Sequence, residues 1–147
     1  MHFITKAKAF IDAVLKVCKF TNLPNPGTPT MTKALFILKR REDYSSDPSY
    51  SGSYQIATGM WNSAKFVSDA LNSIDGVTSN VAIAVDGNSI DALCMQYDPD
   101  VVFIEGLWVT PAKFTELMGL ARHAKRTFVV RIHSEIPFLA TEGIAMD

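Results

Sequence analysis

Short apolar runs alternate with amphipathic segments from Lys33 onward. The four runs, each almost wholly apolar, are residues 34–38, 81–85, 101–104 and 128–132. Runs that are apolar on both faces are typical of buried parallel strands, and their alternation with helical segments indicates βαβ units. Because such crossovers are right-handed, the pattern predicts a doubly wound, mainly parallel α/β sheet of about four strands, in the order 2-1-3-4.

The segments between the runs predict three helices. One extends over about 56–74, with an apolar stripe at Ile56, Met60, Ala64, Val67, Leu71 and Ile74. A short one begins at Asn88 or Ser89 and continues through Tyr97. In the third, Thr110 is the N-cap and Pro111 the first helical residue. We expect this third helix to bury Phe114, Leu117, Met118 and Ala121 and to end near Arg126.

The residues before the first run have a different pattern. Helical spacing over 1–21 predicts an amphipathic helix with an apolar stripe at Phe3, Ala7, Phe10, Ile11, Val14, Leu15 and Cys18. Three prolines and a glycine within 22–30 exclude a helix there and favour an extended linker. We therefore expect a helical extension at 1–21, a proline-rich linker at 22–32, and a Rossmann-like α/β half-domain at 33–147.

Charge and cysteine content narrow the classes of function. With 14 Lys and Arg against 15 Asp and Glu, the net charge is close to zero. The protein as a whole therefore has no positive electrostatic field that would favour binding to nucleic acid or to an anionic membrane. Cys18 and Cys94 are isolated, which indicates neither a disulfide framework nor a zinc site and suits the reducing cytoplasm. The three histidines share no metal-ligand spacing. We expect a cytoplasmic protein with neither a metal nor a cofactor.

Ligands of doubly wound sheets bind at the carboxyl ends of the strands, where polar residues follow three of the predicted strands. His133 follows the fourth strand, and its imidazole is suited either to general base catalysis near neutral pH or to fixing the turn. Glu105 ends the third strand, so its carboxylate is either displayed in the crevice or paired with a backbone amide or a cation. Arg131 is a candidate for that cation.

Other candidate ligand contacts flank these two residues. Gly52, Ser53 and Tyr54 close the loop that follows the first strand, where a glycine lets backbone amides approach an anion; a surface loop is the competing interpretation. Trp108 is placed either to stack on a sugar or a base, or to cover the core. Ser134 and Glu135, directly after His133, complete this edge of the predicted sheet.

Three segments of 33–147 carry a family resemblance. They are WNSAKFV at 61–67, IEGLWV at 104–109 with Pro111, Lys113 and Phe114, and VRIHSEIPFLA at 130–140 with EGIA at 142–145. In these segments the chain resembles the amino-terminal half of phage-encoded, GT-B-type glycosyltransferases.

The resemblance implies transfer of a sugar from a nucleotide donor, with the acceptor held mainly by this amino-terminal domain. In enzymes of this kind that invert the configuration of the transferred sugar, a base in the first domain deprotonates the acceptor. The resemblance puts His133 or Glu105 at the position of that base. Asn62, in the first segment, joins the candidate substrate contacts. The expected ligand is a glycan or a sugar nucleotide.

The chain stops at Asp147, before the donor-binding half that the resemblance implies. We therefore expect a truncated domain that is incomplete as an enzyme on its own. The alternative is a catalytically silent phage structural or partner-binding module, in which a second copy or another chain covers the exposed sheet edge. A flavodoxin-like or receiver-like regulator ranks last, since the first strand leads into Lys39, Arg40 and Arg41 rather than into an acidic pocket.

Overall fold

The computed structural model describes residues 31–40 and 58–133. Along the chain its elements are β1 (Thr32–Lys39), α1 (Thr58–Asn72), β2 (Val77–Ala84), α2 (Ser89–Tyr97), β3 (Val101–Glu105), α3 (Pro111–Gly119), a 3-10 turn (Ala121–His123) and β4 (Thr127–Arg131). The predicted amino-terminal helix, most of its linker and most of the loop after β1 lie outside the described residues. None of the described helices is long and apolar enough to cross a membrane.

The four strands form one parallel sheet in the order β2-β1-β3-β4, which confirms the predicted α/β topology. The strand register matters for the site. At the carboxyl edge, Leu38 pairs with Ile83 on one side and with Glu105 on the other, and Glu105 pairs with Arg131. The two polar residues therefore lie side by side at the end of two neighbouring strands.

The sheet buries apolar side chains on both faces, as a doubly wound fold requires. On one face, Leu35, Ile37, Val102 and Ile104 pack with residues of α2 and α3. On the other face the core side chains pack with α1, and two of them, Phe36 and Phe103, stack with their ring centroids 4.6 Å apart. Since side chains alternate along a strand, Glu105 and Arg131 lie on the face of α1.

The helix starts are set by local polar bonds. Thr110 caps α3 as predicted, because its hydroxyl accepts from the backbone amide of Lys113 at 3.3 Å. At the start of α2 the side chain of Asn88 makes no capping bond. Instead, the carboxylate of Asp86 accepts from the amides of Asn88 and Ser89, at 2.9 and 3.0 Å. These bonds lower the pKa of Asp86, with Ser89 contributing most.

The end of α3 differs from the sequence prediction. The helix ends at Gly119, and both Met118 and Ala121, which were predicted to be buried, are exposed. The residues expected to extend it bond to α2 instead. Arg122 forms a two-pronged ion pair with Asp91, at 2.8 and 2.7 Å, and it holds the pKa of that carboxyl at about 2.

His123 and Arg126 complete this polar network at the amino-terminal edge of the sheet. The imidazole of His123 is buried, with Nε2 2.9 Å from Asp91 and Nδ1 3.0 Å from an Arg126 nitrogen. Arg126 also donates to the carboxylate of Asp98 at 2.9 Å. An arginine can only donate, so Nδ1 of His123 accepts and Nε2 carries the proton. Burial lowers the pKa of His123, which favours this neutral form.

Candidate active site

Glu105 is the centre of a polar cluster on the α1 face of the sheet. It is the last residue of β3 and is 0% exposed, yet it ends a run of apolar side chains. Both carboxylate oxygens have partners: Arg131 Nη1 donates to Oε1 at 2.7 Å, and His133 Nε2 lies 2.5 Å from Oε2. A buried carboxylate needs such compensation, since an unpaired charge in the core is strongly unfavourable.

Arg131 is the cation that the sequence offered for Glu105, and the pairing is confirmed. Its guanidinium also donates from Nη2 to the hydroxyl of Ser63 on α1, at 2.9 Å. The Cζ atom lies 5.6 Å from the ring centroid of Phe36, within the range of a cation–π contact. Arg131 therefore ties the end of β4 to β3, to β1 and to the helix above them.

Sequence reasoning gave Ser63 no role. The signal that identifies it is its position on the flank of the apolar stripe of α1, three residues after Met60 and four before Val67. Residues at these spacings share one face of a helix. A serine there faces the sheet and needs a polar partner, which Arg131 supplies.

Among Glu105, Arg131 and His133, the side chain of His133 is the most exposed to solvent. Its side chain is 27% exposed, compared with 14% for Arg131 and none for Glu105. A carboxylate accepts hydrogen bonds, so Nε2 of His133 carries the proton that bonds Glu105. Within the described residues, only Glu105 bonds the imidazole. In the neutral form of the imidazole, Nδ1 is then the nitrogen without a proton, and it can accept one from a ligand.

This geometry separates the two residues that the sequence proposed as bases. Both oxygens of Glu105 have hydrogen-bond partners and the residue is buried. Its carboxylate therefore orients the imidazole of His133 and can compensate a positive charge on that ring. His133 is exposed and carries an acceptor nitrogen. A carboxylate that holds one nitrogen of a histidine while the other faces the reactant is a recurrent arrangement for general base catalysis.

Gly106 makes the sharp turn that follows Glu105. Its φ of +88° lies in the left-handed region, where residues with a side chain are strained. A Cβ atom at this position would lie 2.9 Å from the Cε of Met60 on α1. The Gly106 amide donates to the carbonyl of Arg131 at 2.9 Å, so the turn joins both strands of the cluster.

The other predicted contacts are dispersed or undescribed. The indole nitrogen of Trp108 donates to the Glu105 carbonyl at 3.1 Å. Its ring packs against the apolar core on the other face of the sheet, between the strands and the helices α2 and α3. Asn62 is exposed on α1, next to Ser63. The remaining candidates lie outside the described residues: Gly52, Ser53, Tyr54, Ser134 and Glu135. The described part of the chain holds no cluster of three or more His, Cys, Asp or Glu suited to a metal ion.

Comparison with protein-family models, with curated proteins and with solved structures found no match for this chain.

Proposed function

We propose that this α/β unit is the acceptor-side domain of a glycosyltransferase, with His133 as the base that activates the acceptor hydroxyl. The observation that supports this most is the contact between His133 and the buried Glu105, at the carboxyl edge of a doubly wound sheet. That edge is where ligands of such sheets bind. The reaction type, transfer of a sugar from a nucleotide donor, is taken from the family resemblance of residues 33–147.

In the proposed reaction, an acceptor hydroxyl lies against Nδ1 of His133. Its oxygen attacks the anomeric carbon of the donor sugar, the bond to the nucleotide phosphate breaks, and the phosphate leaves with the electron pair. The hydroxyl proton moves to Nδ1, and the resulting imidazolium is stabilised by the carboxylate of Glu105. The donor would be bound by a second Rossmann-like domain, as in the enzymes that this chain resembles.

The experiment is calorimetric titration of the full chain with simple glycans, free nucleotides and nucleotide sugars. We expect at least one glycan to bind, and His133→Gln to weaken that binding about tenfold, the loss of one hydrogen bond to the ligand. The glutamine amide can still donate to Glu105, so the fold is retained. Met118→Ala serves as the control, since Met118 is 65% exposed on the opposite face.

Two results would count against the proposal. If no glycan binds, or if one binds equally well to the His133→Gln variant, then His133 does not contact an acceptor. If nucleotide sugars bind and the variant weakens them, the site belongs to the donor.

A second candidate function is a partner-binding module without catalysis. The observation that favours it is the apolar margin at the β2 edge of the sheet, where Ile83 is 41% and Val85 59% exposed. A second copy or another chain could cover this edge. We expect Ile83→Lys to abolish any dimer seen by sedimentation equilibrium while glycan binding is unchanged; a monomer at all concentrations argues against self-association.

A further inference from the structure

An exposed arginine lies at the carboxyl edge of the sheet, near the candidate active site. Arg40 directly follows β1, and its backbone amide donates to the carbonyl of Ala84 on β2 at 2.7 Å. The pairing of these strands therefore continues one residue past the end of β1. Since side chains alternate along a strand, Arg40 shares a face with Leu38, which packs with residues of α1. Arg40 thus lies on the same face of the sheet as Glu105 and His133.

The strand register relates the position of Arg40 to that of His133. Leu38 pairs with Glu105, and Glu105 pairs with Arg131. Arg40 and His133 each follow two residues later, so they lie at the same level of the sheet. Because only β3 separates their strands, the two backbones are about 10 Å apart. The arginine side chain reaches across part of this distance, and the remaining gap suits a ligand of the size of a sugar residue.

The charge of Arg40 is not balanced by the described residues. Arg131, on the same face, is paired with the buried carboxylate of Glu105 at 2.7 Å. None of the ion pairs within residues 31–40 and 58–133 includes Arg40, and this residue is exposed. A single positive charge matches a monoanion such as a carboxylate, whereas a phosphate monoester carries nearly two negative charges at neutral pH.

We propose that the acceptor is an acidic sugar, whose carboxylate is bound by Arg40 while one of its hydroxyl groups lies against Nδ1 of His133. The planar guanidinium of an arginine donates a pair of parallel hydrogen bonds to a carboxylate, which fixes the orientation of the ligand as well as its charge. Arg40 then holds the acceptor in place for the base, and a neutral sugar lacks this contact. The inference rests on the proposed function, because it names the class of acceptor for the same site.

The test is calorimetric titration of the full chain with sugars in matched pairs, glucuronate with glucose and galacturonate with galactose. Within each pair, a carboxylate replaces a hydroxymethyl group. Low salt is used, because an exposed charge pair is screened at high ionic strength. We expect at least one uronate to bind about tenfold more tightly than its neutral counterpart, as for a hydrogen bond to a charged group.

Two variants assign this preference to one side chain. Arg40→Gln should remove the difference between a uronate and its neutral counterpart. Lys39→Gln is the matched control, since it removes the same charge one residue away but from the opposite face of the sheet, and we expect it to leave uronate affinity unchanged. Both residues are exposed, so neither change disturbs the core.

The outcomes distinguish this inference from the proposed function. If neutral sugars bind as tightly as the uronates, or if Lys39→Gln weakens uronate binding as much as Arg40→Gln does, Arg40 does not select the acceptor and only this inference is overturned. If the chain binds none of the four sugars, the proposed function fails and this inference fails with it.

NMR of the side chains provides a second measurement. Glucuronate should shift the Nε–H signal of Arg40, which Arg40→Gln assigns, together with the imidazole signal of His133, and both titrations should give the same Kd. Adenosine monophosphate is the phosphate-bearing control, and at the same concentration it should shift neither signal. If the nucleotide shifts Arg40 and glucuronate does not, this arginine binds a phosphate and the inference is overturned.

Discussion

Replacing Glu105 with glutamine is the most informative single change at the site. The amide keeps the shape of the side chain but offers one acceptor oxygen and one donor nitrogen in place of two acceptors. Arg131 can only donate, so the oxygen must remain with Arg131 and the amide nitrogen must face His133. Nε2 of His133 then has to accept, and its proton moves to Nδ1. We therefore expect the substitution to reverse the tautomer of His133.

The cost in stability follows from the burial of the cluster. Breaking a buried ion pair by removing one charge typically costs 3–5 kcal/mol. Because the amide retains the packing and one hydrogen bond to Arg131, we expect the low end, about 3 kcal/mol. For a chain of this size that corresponds to a fall in Tm of roughly 10 °C.

The assay combines thermal unfolding with imidazole 15N shifts, which distinguish the two tautomers directly. Glu116→Gln is the matched control, since that carboxylate is 61% exposed and pairs with Lys113 at the surface; we expect a change in free energy of at most about 0.5 kcal/mol. The reasoning is refuted if Glu105→Gln keeps the proton on Nε2, or if its Tm is within about 2 °C of the natural chain.

Three further changes test other parts of the structure. Gly106→Ala should cost about 1–3 kcal/mol in denaturant unfolding, through its left-handed backbone and its clash with Met60; no loss would mean that the turn relaxes. His123 has a pKa below its usual 6.5, so the unfolded chain takes up the proton first, and stability is lost as pH falls through about 6.5. Denaturant midpoints between pH 7.5 and 5 should show that loss of stability, at most about 1.4 kcal/mol per pH unit, and His123→Gln should reduce the dependence of stability on pH. If the variant has the same pH dependence as the natural chain, a group other than His123 causes the acid sensitivity. Ser63→Ala should cost about 1–2 kcal/mol in thermal unfolding, because a charged donor loses its acceptor, and glycan affinity should fall as well; an unchanged Tm would show that water replaces the hydroxyl.

The sheet was predictable because its strands carry their own signal. Runs such as 101–104 are apolar on both faces, which is typical of a parallel strand covered on both sides, and right-handed crossovers leave few possible strand orders. The end of α3 was not predictable in the same way. Met118 continues the helical spacing, but the helix ends at Gly119, and Arg122 and His123 bond to Asp91 on α2. Such contacts between distant elements leave no local pattern in the sequence.

The candidate site was predictable in part. Glu105 and His133 are polar residues at the ends of apolar strands, and topology alone brings strand ends to one edge. Their roles required coordinates, because a sequence does not show that Glu105 is fully buried with both oxygens bonded. Trp108 illustrates the opposite case: its position suggested stacking on a ligand or covering the core, and its ring packs against the core.

The measurement that tests the central proposal most directly is NMR of the histidine side chains during a glycan titration. The chain has three histidines, so His133→Gln assigns the resonance of interest and His123, buried at the opposite edge of the sheet, is an internal control. We predict that an acceptor glycan shifts the His133 signal, with its Nδ1 affected most, while His123 is unchanged and free nucleotides have no effect. A His133 signal that stays fixed through the whole glycan panel, or that responds to nucleotides alone, would contradict the assignment of His133 as the base for an acceptor.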